Sequence, residues 1–522
     1  MRESRERHIL YICLILALVP VLLFRDFTLS NELRYLSIAD EALRNHVFFA
    51  FTNHGEPFVD KPPLYLWIVM LCRWLTGGHY MTLLGLFSLV PAIIIARVID
   101  RWTVHDMDGV GRSMARLMLI TSGIFFVSAV TIRMDMLMSL FIVLALYEFW
   151  RMQSGEPGDA RCRWRFPIYI FLAMFTKGPL GLIIPLAVTA AYLAVSGRLN
   201  RFFRYWSWRT WSVLIVLVAA WLAAVYAEGG AGFLRKFVEN QLVDRTFDAT
   251  RHVQPFYYYL LTIWYILAPW SLLIIGINLA SLRHSVVKSG IQTFFLTASF
   301  TIFIVLSCVG SKMQIYMLPA VPFMVYSAAM FTPRYHGSKW IRTSIAIPAL
   351  MILLALPVLI WAVSQFPSVD YLNNGLFYAA ATVLSMSGGN VLYHLYNKAQ
   401  PENLAQIIRR MAGGIGLAVF VAAWALPAAS SDLGYGKLCK KAMKVADATH
   451  IGSVHAWRLD HAANMDAYLG KQIIVEDDRS VPQLAGKGAP FILLTRKENA
   501  KSLNAKEVHV VGAFAVVVCN QK

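Results

Sequence analysis

The chain has 522 residues, of which 57% are hydrophobic and only 15% are charged. Soluble globular proteins carry about 25% charged residues, so the composition excludes a soluble enzyme, a disordered chain and a disulfide-rich secreted module. The formal net charge is +18, but the charges are spread between long apolar runs. This pattern indicates a membrane protein rather than a nucleic-acid-binding protein. Six cysteines without a CxxC pair argue against a cysteine-based zinc or redox site.

Thirteen runs are predicted to span a membrane, since a helical span needs about 20 mostly apolar residues. The first run follows an arginine-rich start and ends at Arg25-Asp26 without a small-residue cleavage site, so we expect a retained anchor. The run 61–76 is short and contains Arg73, which is typical of an interfacial helix. The predicted spans are residues 8–24, 79–99, 113–132, 134–150, 166–177, 179–196, 210–227, 256–280, 291–310, 313–331, 343–363, 375–396 and 411–428.

The cations alternate between the two sides of this predicted topology. Loops on the side of the N-terminus carry 23 of the 48 lysines and arginines, the opposite loops carry 12, and the tail from residue 429 carries 13. The positive-inside rule therefore predicts a cytoplasmic N-terminus and an extracytoplasmic tail. We expect an all-α polytopic membrane protein, with domain 1–428, outer loops 25–78 and 228–255, juxtamembrane helices, and a small C-terminal α/β domain over 429–522.

The tail alternates a helical pattern over 436–448 with β-rich runs at 472–475, 491–494 and 508–518. This alternation predicts a small α/β domain. The tail also holds Cys439 and Cys519, the two cysteines predicted to lie well outside the bilayer. A disulfide between them is one alternative, and two free thiols are the other.

The first outer loop carries charged residues beside apolar helices. Glu32 and Arg34 open a stretch patterned as an amphipathic helix over 31–44, and Asp60-Lys61 precedes Pro62-Pro63 at the start of the interfacial helix. A lysine held at the height of lipid headgroups can bind a phosphate as a point charge. A solvated acidic face, with Arg34 as its surface partner, is the alternative interpretation.

Further polar residues follow at the outer ends of later spans. Asp135 is costly at a membrane edge unless it is paired or functional, although it could also cap a helix or pair with Arg133. Lys177 stands before a Gly-Pro turn, and Lys312 could simply extend its ammonium to the interface. Tyr257 is either an interfacial anchor or a site residue. With Arg245 and Arg251, these residues place cations and a few acids on one membrane face, which suits a lipid-linked phosphate and acid–base chemistry.

The ordered motifs resemble bacterial integral-membrane glycosyltransferases of the GT-C class, in particular the aminoarabinose transferases of lipid A and the protein O-mannosyltransferases. The resemblance has motifs from residue 1 to about 330 and only a similar layout beyond. The motifs are Asn31-Glu32-Leu33-Arg34-Tyr35, Asp60-Lys61-Pro62-Pro63, Asp135, Thr176-Lys177-Gly178, Arg251-His252-Val253-Gln254-Pro255-Phe256-Tyr257-Tyr258 and Ser311-Lys312-Met313-Gln314-Ile315-Tyr316.

The resemblance implies a polyprenyl-phosphate sugar donor and an acceptor on the outer face of the bacterial inner membrane, with transfer by inversion. It implies that Arg34, Lys61, Lys312 and Tyr316 hold the donor phosphate, and that Asp135 orients the sugar or acceptor and can act as the base. Tyr35 falls inside the first motif and is a further candidate.

One position departs from the family pattern. Relatives commonly have an aspartate where this chain has Asn31, and an amide cannot act as a general base. The alternatives are that Glu32 takes the role, that Asp135 suffices, or that the acceptor is a phosphate that needs no base.

The expected acceptor is lipid A or another envelope glycolipid, and a protein hydroxyl is the alternative. A transporter or flippase for the sugar-lipid is the second alternative, although transporters usually place polar sites near the midplane between repeats. We expect no required cofactor and no nucleic acid partner. By resemblance Asp60 and His252 could share a structural zinc, but two protein ligands make a weak zinc site.

Overall fold

The fold is described from a computed structural model of the chain. The described residues are 2–155, 161–242, 253–283, 286, 288–335, 337–397, 403–481, 490–503 and 507–519. Helices dominate up to residue 433 and a mixed sheet follows, so the expected order of a helical membrane part and an α/β tail is observed.

The helices of the N-terminal half include two that lie between the first two long apolar helices. These are α2 and α3, which correspond to the predicted amphipathic and interfacial helices. The helices are α1 (Arg2–Phe24), α2 (Glu32–Asn45), α3 (Leu64–Thr76), α4 (Met81–Trp102), α5 (Gly109–Ile120), α6 (Gly123–Ser128), α7 (Asp135–Ser154), α8 (Cys162–Lys177), α9 (Leu180–Val195), α10 (Phe202–Tyr205) and α11 (Trp208–Leu242).

The second half of the membrane part contains shorter and more broken helices. A 3₁₀ turn, Gln314–Met317, connects two of them near the outer end of the predicted span 313–331. The helices are α12 (Tyr258–Ile266), α13 (Ser271–Ala280), α14 (Gly290–Cys308), α15 (Val321–Phe331), α16 (Lys339–Leu353), α17 (Ala355–Gln365), α18 (Gly375–Tyr396), α19 (Leu404–Ala423) and α20 (Leu426–Leu433).

Each of the thirteen predicted spans contains helix, but several are interrupted. The run 256–280 divides into α12 and α13 around Pro269, which cannot donate a backbone hydrogen bond. Within the described residues, α4, α11, α14, α18 and α19 are long and apolar enough to cross a membrane. Helices α16 and α17 meet at a bend of 44° and reach this length and apolarity only when they are counted together, as a broken span or a re-entrant loop. The number thirteen therefore stays a prediction.

The region 228–255 is not a loop along its whole length, which corrects the prediction. Helix α11 continues through it to Leu242, with one non-helical residue at Gly230, whose φ of 72° suits glycine. Near this break the Glu228 carboxylate accepts hydrogen bonds from the backbone N–H groups of Phe48, Phe49 and Ala50. These contacts attach α11 to the first outer loop.

Arg73 explains why α3 stays beside α2. Its Nε lies 2.9 Å from Asp40 Oδ1 on α2, and His79 Nε2 lies 3.0 Å from the same oxygen. Burial alone would raise the pKa of Asp40, but the hydrogen bonds and charges of His79 and Arg73 bring that pKa below its usual value. The predicted interfacial helix is therefore fixed to the amphipathic helix by a charged contact.

The tail forms a mixed sheet with the order β4-β3-β5-β7-β6 within its described residues. Strand β3 is parallel to β4 and β5, whereas β7 is antiparallel to β5 and β6. After the short hairpin of β1 (Thr52–Asn53) and β2 (Glu56–Pro57) in the first outer loop, the strands are β3 (Val454–Trp457), β4 (Ile474–Glu476), β5 (Phe491–Arg496), β6 (Glu507–Val511) and β7 (Phe514–Cys519).

The strands of the tail differ in detail from the sequence-based expectation, and the structure decides between the two alternatives for its cysteines. The β-rich run 508–518 is two strands that turn at Gly512, whose φ is +59°, and the central strand β3 was not predicted. The boundary proposed between residues 428 and 429 falls inside α20. Cys439 and Cys519 are free thiols rather than a disulfide, and Cys439 is buried on α21 (Gly436–Thr449). The short helices α22 (Asp466–Leu469) and α23 (Lys497–Ala500) complete the tail.

Asp26, two residues after the end of α1, fixes the tail to the helical part of the chain. Its Oδ2 accepts a hydrogen bond of 2.8 Å from the backbone N–H of Gly436, and its Oδ1 accepts one from the Tyr468 hydroxyl. A second contact joins the Ser37 hydroxyl on α2 to Asp466 Oδ2 at 2.9 Å. The tail therefore packs directly on the helix that carries Arg34.

We predict that Asp26→Ala lowers the thermal stability of the purified protein. The substitution leaves Gly436 N–H and the Tyr468 hydroxyl without their acceptor, which costs about 1–3 kcal/mol for buried groups. The measurement is the melting temperature in detergent, with the exposed Asp447→Ala on α21 as the matched control. Equal melting temperatures of the two variants would contradict the role of Asp26.

Candidate functional site

The candidate site is built from the ends of helices that face the first outer loop. Asp135 is the first residue of α7, and Lys177 is the last residue of α8. Gly178 follows with φ 104° and ψ −155°, a conformation that an L side chain rarely adopts. The glycine ends α8 at this position and so places Lys177 at the end of its helix.

Asp135 and Lys177 form a buried ion pair. The Lys177 ammonium donates a hydrogen bond to Asp135 Oδ1, while Arg133 Nε lies 3.2 Å from Oδ2. Asp135 is 1% exposed and Lys177 is 6% exposed, so neither charge is screened by bulk water. Lys61 acts electrostatically on the same carboxylate. One buried carboxylate therefore lies among several cations.

One tyrosine ring contacts this ion pair, and two further buried tyrosines feel its charge. Lys177 Nζ lies 3.8 Å from the centroid of the Tyr316 ring, a cation–π geometry. Tyr35 contacts Tyr65 edge to face, with 5.9 Å between ring centroids. Burial raises the pKa of Tyr35 to about 12, although nearby Arg133 opposes the shift. The Tyr35 hydroxyl thus stays neutral near pH 7 and remains a hydrogen-bond donor.

Arg34 and Asp60 form the more accessible edge of the site. Arg34 Nη1 lies 3.7 Å from Asp60 Oδ2, and the two side chains are 26% and 17% exposed. The Arg34 guanidinium also lies 5.3 Å from the centroid of the Phe58 ring. The pair connects α2 with the segment Asp60-Lys61 ahead of α3, and so brings the first two motifs together.

Glu32 is placed differently from the expectation that it is a catalytic base. Its carboxylate is fully buried and forms a bidentate pair with Arg25 at 2.7 and 2.8 Å. Its two oxygens also accept hydrogen bonds of 2.7 Å from the backbone N–H groups of Thr28 and Ile132. With both oxygens occupied in this way, the lone pairs of the carboxylate are not directed at an open site, which favours a structural role for Glu32.

The Arg25–Glu32 clamp joins the start of α2 to the loop before α7. Arg25 Nη2 donates to the Val130 carbonyl at 3.0 Å, beside the Ile132 N–H that binds Glu32. Because Arg34 follows Glu32 on α2 and Asp135 follows Ile132 along the chain, the clamp fixes the two candidate residues relative to each other.

Lys312 lies just before the 3₁₀ turn Gln314–Met317, which contains Tyr316. Its ammonium donates a hydrogen bond of 2.9 Å to the Gln254 carbonyl, and residues Val253 and Ser311 form an antiparallel bridge. The buried Tyr259 hydroxyl donates to the Met313 carbonyl at 3.1 Å. The motif that ends at Tyr258 and the motif that begins at Ser311, the fifth and sixth in chain order, are therefore neighbours in space.

Two candidates lie at the margins of this arrangement. Asn31 precedes α2 without a side-chain capping bond, and its amide is 3.4 Å from the Ser30 hydroxyl. Tyr257 is 45% exposed and contacts the Phe256 ring, as an interfacial anchor would. Tyr259, which directly follows this motif, is buried. The sequence interpretation passed over Tyr259 although it completes a run of three tyrosines.

Three predicted residues, Arg245, Arg251 and His252, lie outside the described residues. Of the two proposed zinc ligands, only Asp60 lies within the described residues, and its carboxylate pairs with Arg34. In the part of the chain that the structure describes, no three His, Cys, Asp or Glu side chains are grouped to hold a metal ion. Zinc at Asp60 thus has no support from these residues.

Sequence reasoning missed Arg25 and considered Arg133 only as an interfacial partner of Asp135. The signal for Arg25 was available, since an arginine directly after a membrane span must find a partner or reach water. Its partner Glu32 and its contact Val130 could not be read from the sequence, because the latter is 105 residues away.

Comparison with solved structures decides the architecture. The crystal structure of ArnT from Cupriavidus metallidurans bound to undecaprenyl phosphate matches with a TM-score of 0.76, over 98% of this chain and 97% of that chain, at 18% identity. This chain has the ArnT fold. The apo crystal structure of the same ArnT matches with a TM-score of 0.75, so the GT-C resemblance read from the motifs is confirmed at the level of the fold.

Sequence comparison adds relatives that match part of the chain. No family model matches the chain. A protein of unassigned function from Aquifex aeolicus is 27% identical over 331 residues, covering 61% of this chain and 63% of that protein. The undecaprenyl phosphate-alpha-4-amino-4-deoxy-L-arabinose arabinosyl transferase of Edwardsiella ictaluri is 24% identical, covering 59% of this chain and 56% of its own length. The matches thus span less than two thirds of either relative.

We predict that Glu32→Gln lowers thermal stability more than it lowers sugar transfer by the protein that remains folded. The amide keeps the shape but loses the bidentate charge pair with Arg25, which costs about 1–3 kcal/mol. The measurements are the melting temperature and the transfer rate per folded molecule. The exposed Glu56→Gln in β2 is the control.

A base role for Glu32 makes the opposite prediction. Glu32→Gln would then melt like the Glu56→Gln control and lose transfer almost completely, and this outcome would contradict the structural role of the clamp.

Proposed function

We propose that the protein is a polyprenyl-phosphate-dependent glycosyltransferase of the bacterial inner membrane. It moves a sugar from the lipid-linked donor to lipid A or another envelope glycolipid on the outer face. The observation that carries this proposal is the buried Asp135, held between Lys177 and Arg133 and bordered by Lys61 and Tyr316. The ArnT fold supports it.

The charge of the site suits a phosphate. Arg34, Lys61, Arg133 and Lys177 are cations, and they face the two carboxylates of Asp60 and Asp135. The third carboxylate of the region, Glu32, is neutralised by Arg25. A bound phosphodiester neutralises part of this excess. When the bond from sugar to phosphate breaks, the leaving phosphate gains negative charge, and fixed cations in a water-poor site stabilise that charge without reorganising.

Each phosphate candidate has a distinct position. Arg34 and Lys61 stand at the accessible edge, where Arg34 is partly exposed, and are the first groups that a phosphate would meet. Tyr316 lies against Lys177, deeper in the site. Lys312 is engaged with the Gln254 carbonyl, so it contributes its charge at longer range or after exchanging this partner.

Asp135 would act on the acceptor. In the free protein its two oxygens are engaged by Lys177 and Arg133, which keeps it ionised. A donor phosphate competes for the Lys177 ammonium, and an oxygen of Asp135 then becomes available to orient the acceptor or to accept its proton. This exchange makes the base available only when the donor is bound.

The same topology gives the expected placement in the cell. The excess of cations on the loops at the N-terminal side favours a cytoplasmic N-terminus and a periplasmic tail. The candidate site would then face the outer leaflet, where the donor phosphate and a glycolipid acceptor can both reach it.

We predict that Lys61→Gln and Asp135→Asn each reduce sugar transfer by about 10²–10³-fold, as the loss of one preorganised electrostatic group does in other enzymes. The assay follows labelled sugar passing from a polyprenyl-phosphate donor to lipid A in proteoliposomes. Arg201→Gln, which removes an exposed cation from a loop on the side of the N-terminus, is the control and should retain full activity. Unchanged transfer by both site variants would contradict the proposal.

The acceptor is tested by comparing masses of lipid A and of envelope glycoproteins from cells with and without the protein. We expect a sugar mass on lipid A or another glycolipid that disappears when the protein is removed. A mass change confined to proteins would replace the glycolipid by a protein hydroxyl. Movement of the sugar-lipid across vesicles without any glycosylated product would indicate a flippase.

A further inference from the structure

Four lysines lie along one side of α21, the helix that follows α20. Their spacing of i, i+3, i+4 and i+7 makes them neighbours on the helix surface; they are Lys437, Lys440, Lys441 and Lys444. Three of them are exposed, and Lys441 is half-buried. The other side of the helix is buried in the tail through Leu438, Cys439, Ala442, Val445 and Ala446. We call the four lysines the α21 lysine face.

The lysine face is unfavourable for the helix itself. Each lysine has a like charge three or four positions away, and such pairs destabilise a helix. Helix α21, which is described along its whole length, has no acidic residue in its first turn and no basic residue in its last turn, although the helix macrodipole favours both. Lys437 stands in the first turn instead, and Asp447 in the last. A charge pattern that opposes the local rules in this way indicates a function outside the fold.

Three of the four ammonium groups are available to an external anion. The Lys437 ammonium donates a hydrogen bond to the Pro427 carbonyl in α20. Among the described residues, Lys440, Lys441 and Lys444 form no hydrogen bond or ion pair. The positive charge of these three side chains is therefore not neutralised by this part of the chain.

The contacts of the first turn hold α21 at the level where membrane helices end. Pro427 lies at the end of the predicted span 411–428, and the Gly436 N–H donates to Asp26, two residues after α1. Lys444 is seven residues beyond Lys437, which is about 10 Å along a helix that rises 1.5 Å per residue. At any tilt of α21, the lysine face thus stays within about 10 Å of this level, close to the Debye length of about 8 Å at physiological ionic strength.

We propose that the α21 lysine face binds anionic phospholipid headgroups in the leaflet on the side of the tail. The lipid phosphates accept hydrogen bonds from the ammonium groups of Lys440, Lys441 and Lys444. Charge complementarity selects this occupant, because basic clusters beside membrane helices are attracted to anionic lipid surfaces. The proposal rests on the contacts of α21 and not on the proposed enzymatic activity.

A phosphorylated acceptor glycolipid is the competing occupant, since it presents the same phosphate chemistry in the same leaflet. A single acceptor held in a reactive pose needs side chains whose positions are fixed by packing and by further hydrogen bonds. The lysines of α21 are instead flexible point charges on an accessible surface. Such a surface suits exchanging headgroups better than one oriented substrate.

The test compares the reactivity of single lysines in the full-length protein, in nanodiscs of phosphatidylglycerol or of phosphatidylcholine. The protein is labelled with acetic anhydride, and each lysine is followed by peptide mass spectrometry. Only the neutral amine reacts, and a surface potential of about −30 mV lowers the fraction of neutral amine about threefold. We expect Lys440, Lys441 and Lys444 to be labelled at least about threefold more slowly in phosphatidylglycerol, with recovery in about 0.5 M salt.

The tail offers matched controls. Three exposed lysines away from α21 should be labelled at the same rate in both lipids; they are Lys471, Lys497 and Lys501. The double charge reversal Lys440→Glu with Lys444→Glu should abolish the lipid dependence at Lys441, because the new carboxylates repel the headgroups. The control reversal Lys471→Glu with Lys497→Glu should leave the lipid dependence at Lys441 unchanged.

Each other outcome overturns the proposal. Equal slowing at the α21 lysines and at the control lysines would reduce the effect to the general field of the membrane. Equal labelling of the α21 lysines in the two lipids would remove the headgroups from this face. If a small fraction of a phosphorylated glycolipid in phosphatidylcholine slows the three α21 lysines as strongly as pure phosphatidylglycerol does, the face belongs to the acceptor.

Discussion

The architecture depends on one buried carboxylate. Asp135 opens α7 at a position with almost no access to water, and an isolated charge there is strongly unfavourable. It is tolerated because Lys177 and Arg133 bring positive charge to its two oxygens. The pairing requires α8 to end beside the start of α7, and Gly178 ends it there. A replacement of either partner by an apolar group therefore disturbs both the packing of α7 on α8 and the chemistry proposed for the site.

A second charge pair extends this arrangement to the outer loop. The Arg25–Glu32 clamp connects the end of α1, the start of α2 and the loop that leads to Asp135. Asp26, the next residue along, connects the same point to the tail through Gly436 and Tyr468. Two adjacent residues at the end of one membrane helix thus hold the site, the juxtamembrane helix and the tail in one arrangement.

Much of this could be predicted from the sequence, for physical reasons. Membrane helices can be predicted from the length of apolar runs. Asp135 and Lys177 could be selected as candidates because a charge beside an apolar run needs a partner. The pairing of Glu32 with Arg25 was not visible, since both orientations of Glu32 are compatible with an amphipathic helix. The position of the Glu32 carboxylate also depends on a hydrogen bond from the backbone N–H of Ile132, which is 100 residues away in the sequence.

Other features escaped prediction because their signals are short. Strand β3 is four residues long and fully buried, so it shows neither alternation nor length. The helix breaks at Pro269 and Gly230 involve one or a few residues. A hydropathy value averaged over a whole span does not reveal such short breaks. Tyr257 and Tyr259 stand in one aromatic run, and only the position of α14 and the 3₁₀ turn at Gln314–Met317 decides which of them is buried.

The most direct test of the account is an experimental structure of the protein with polyprenyl phosphate bound. The account predicts the phosphate at the outer end of α7 and α8, with oxygens at about 2.7–3.2 Å from the nitrogens of Lys61 or Arg34 and close to Lys177. A phosphate found away from these residues would contradict it.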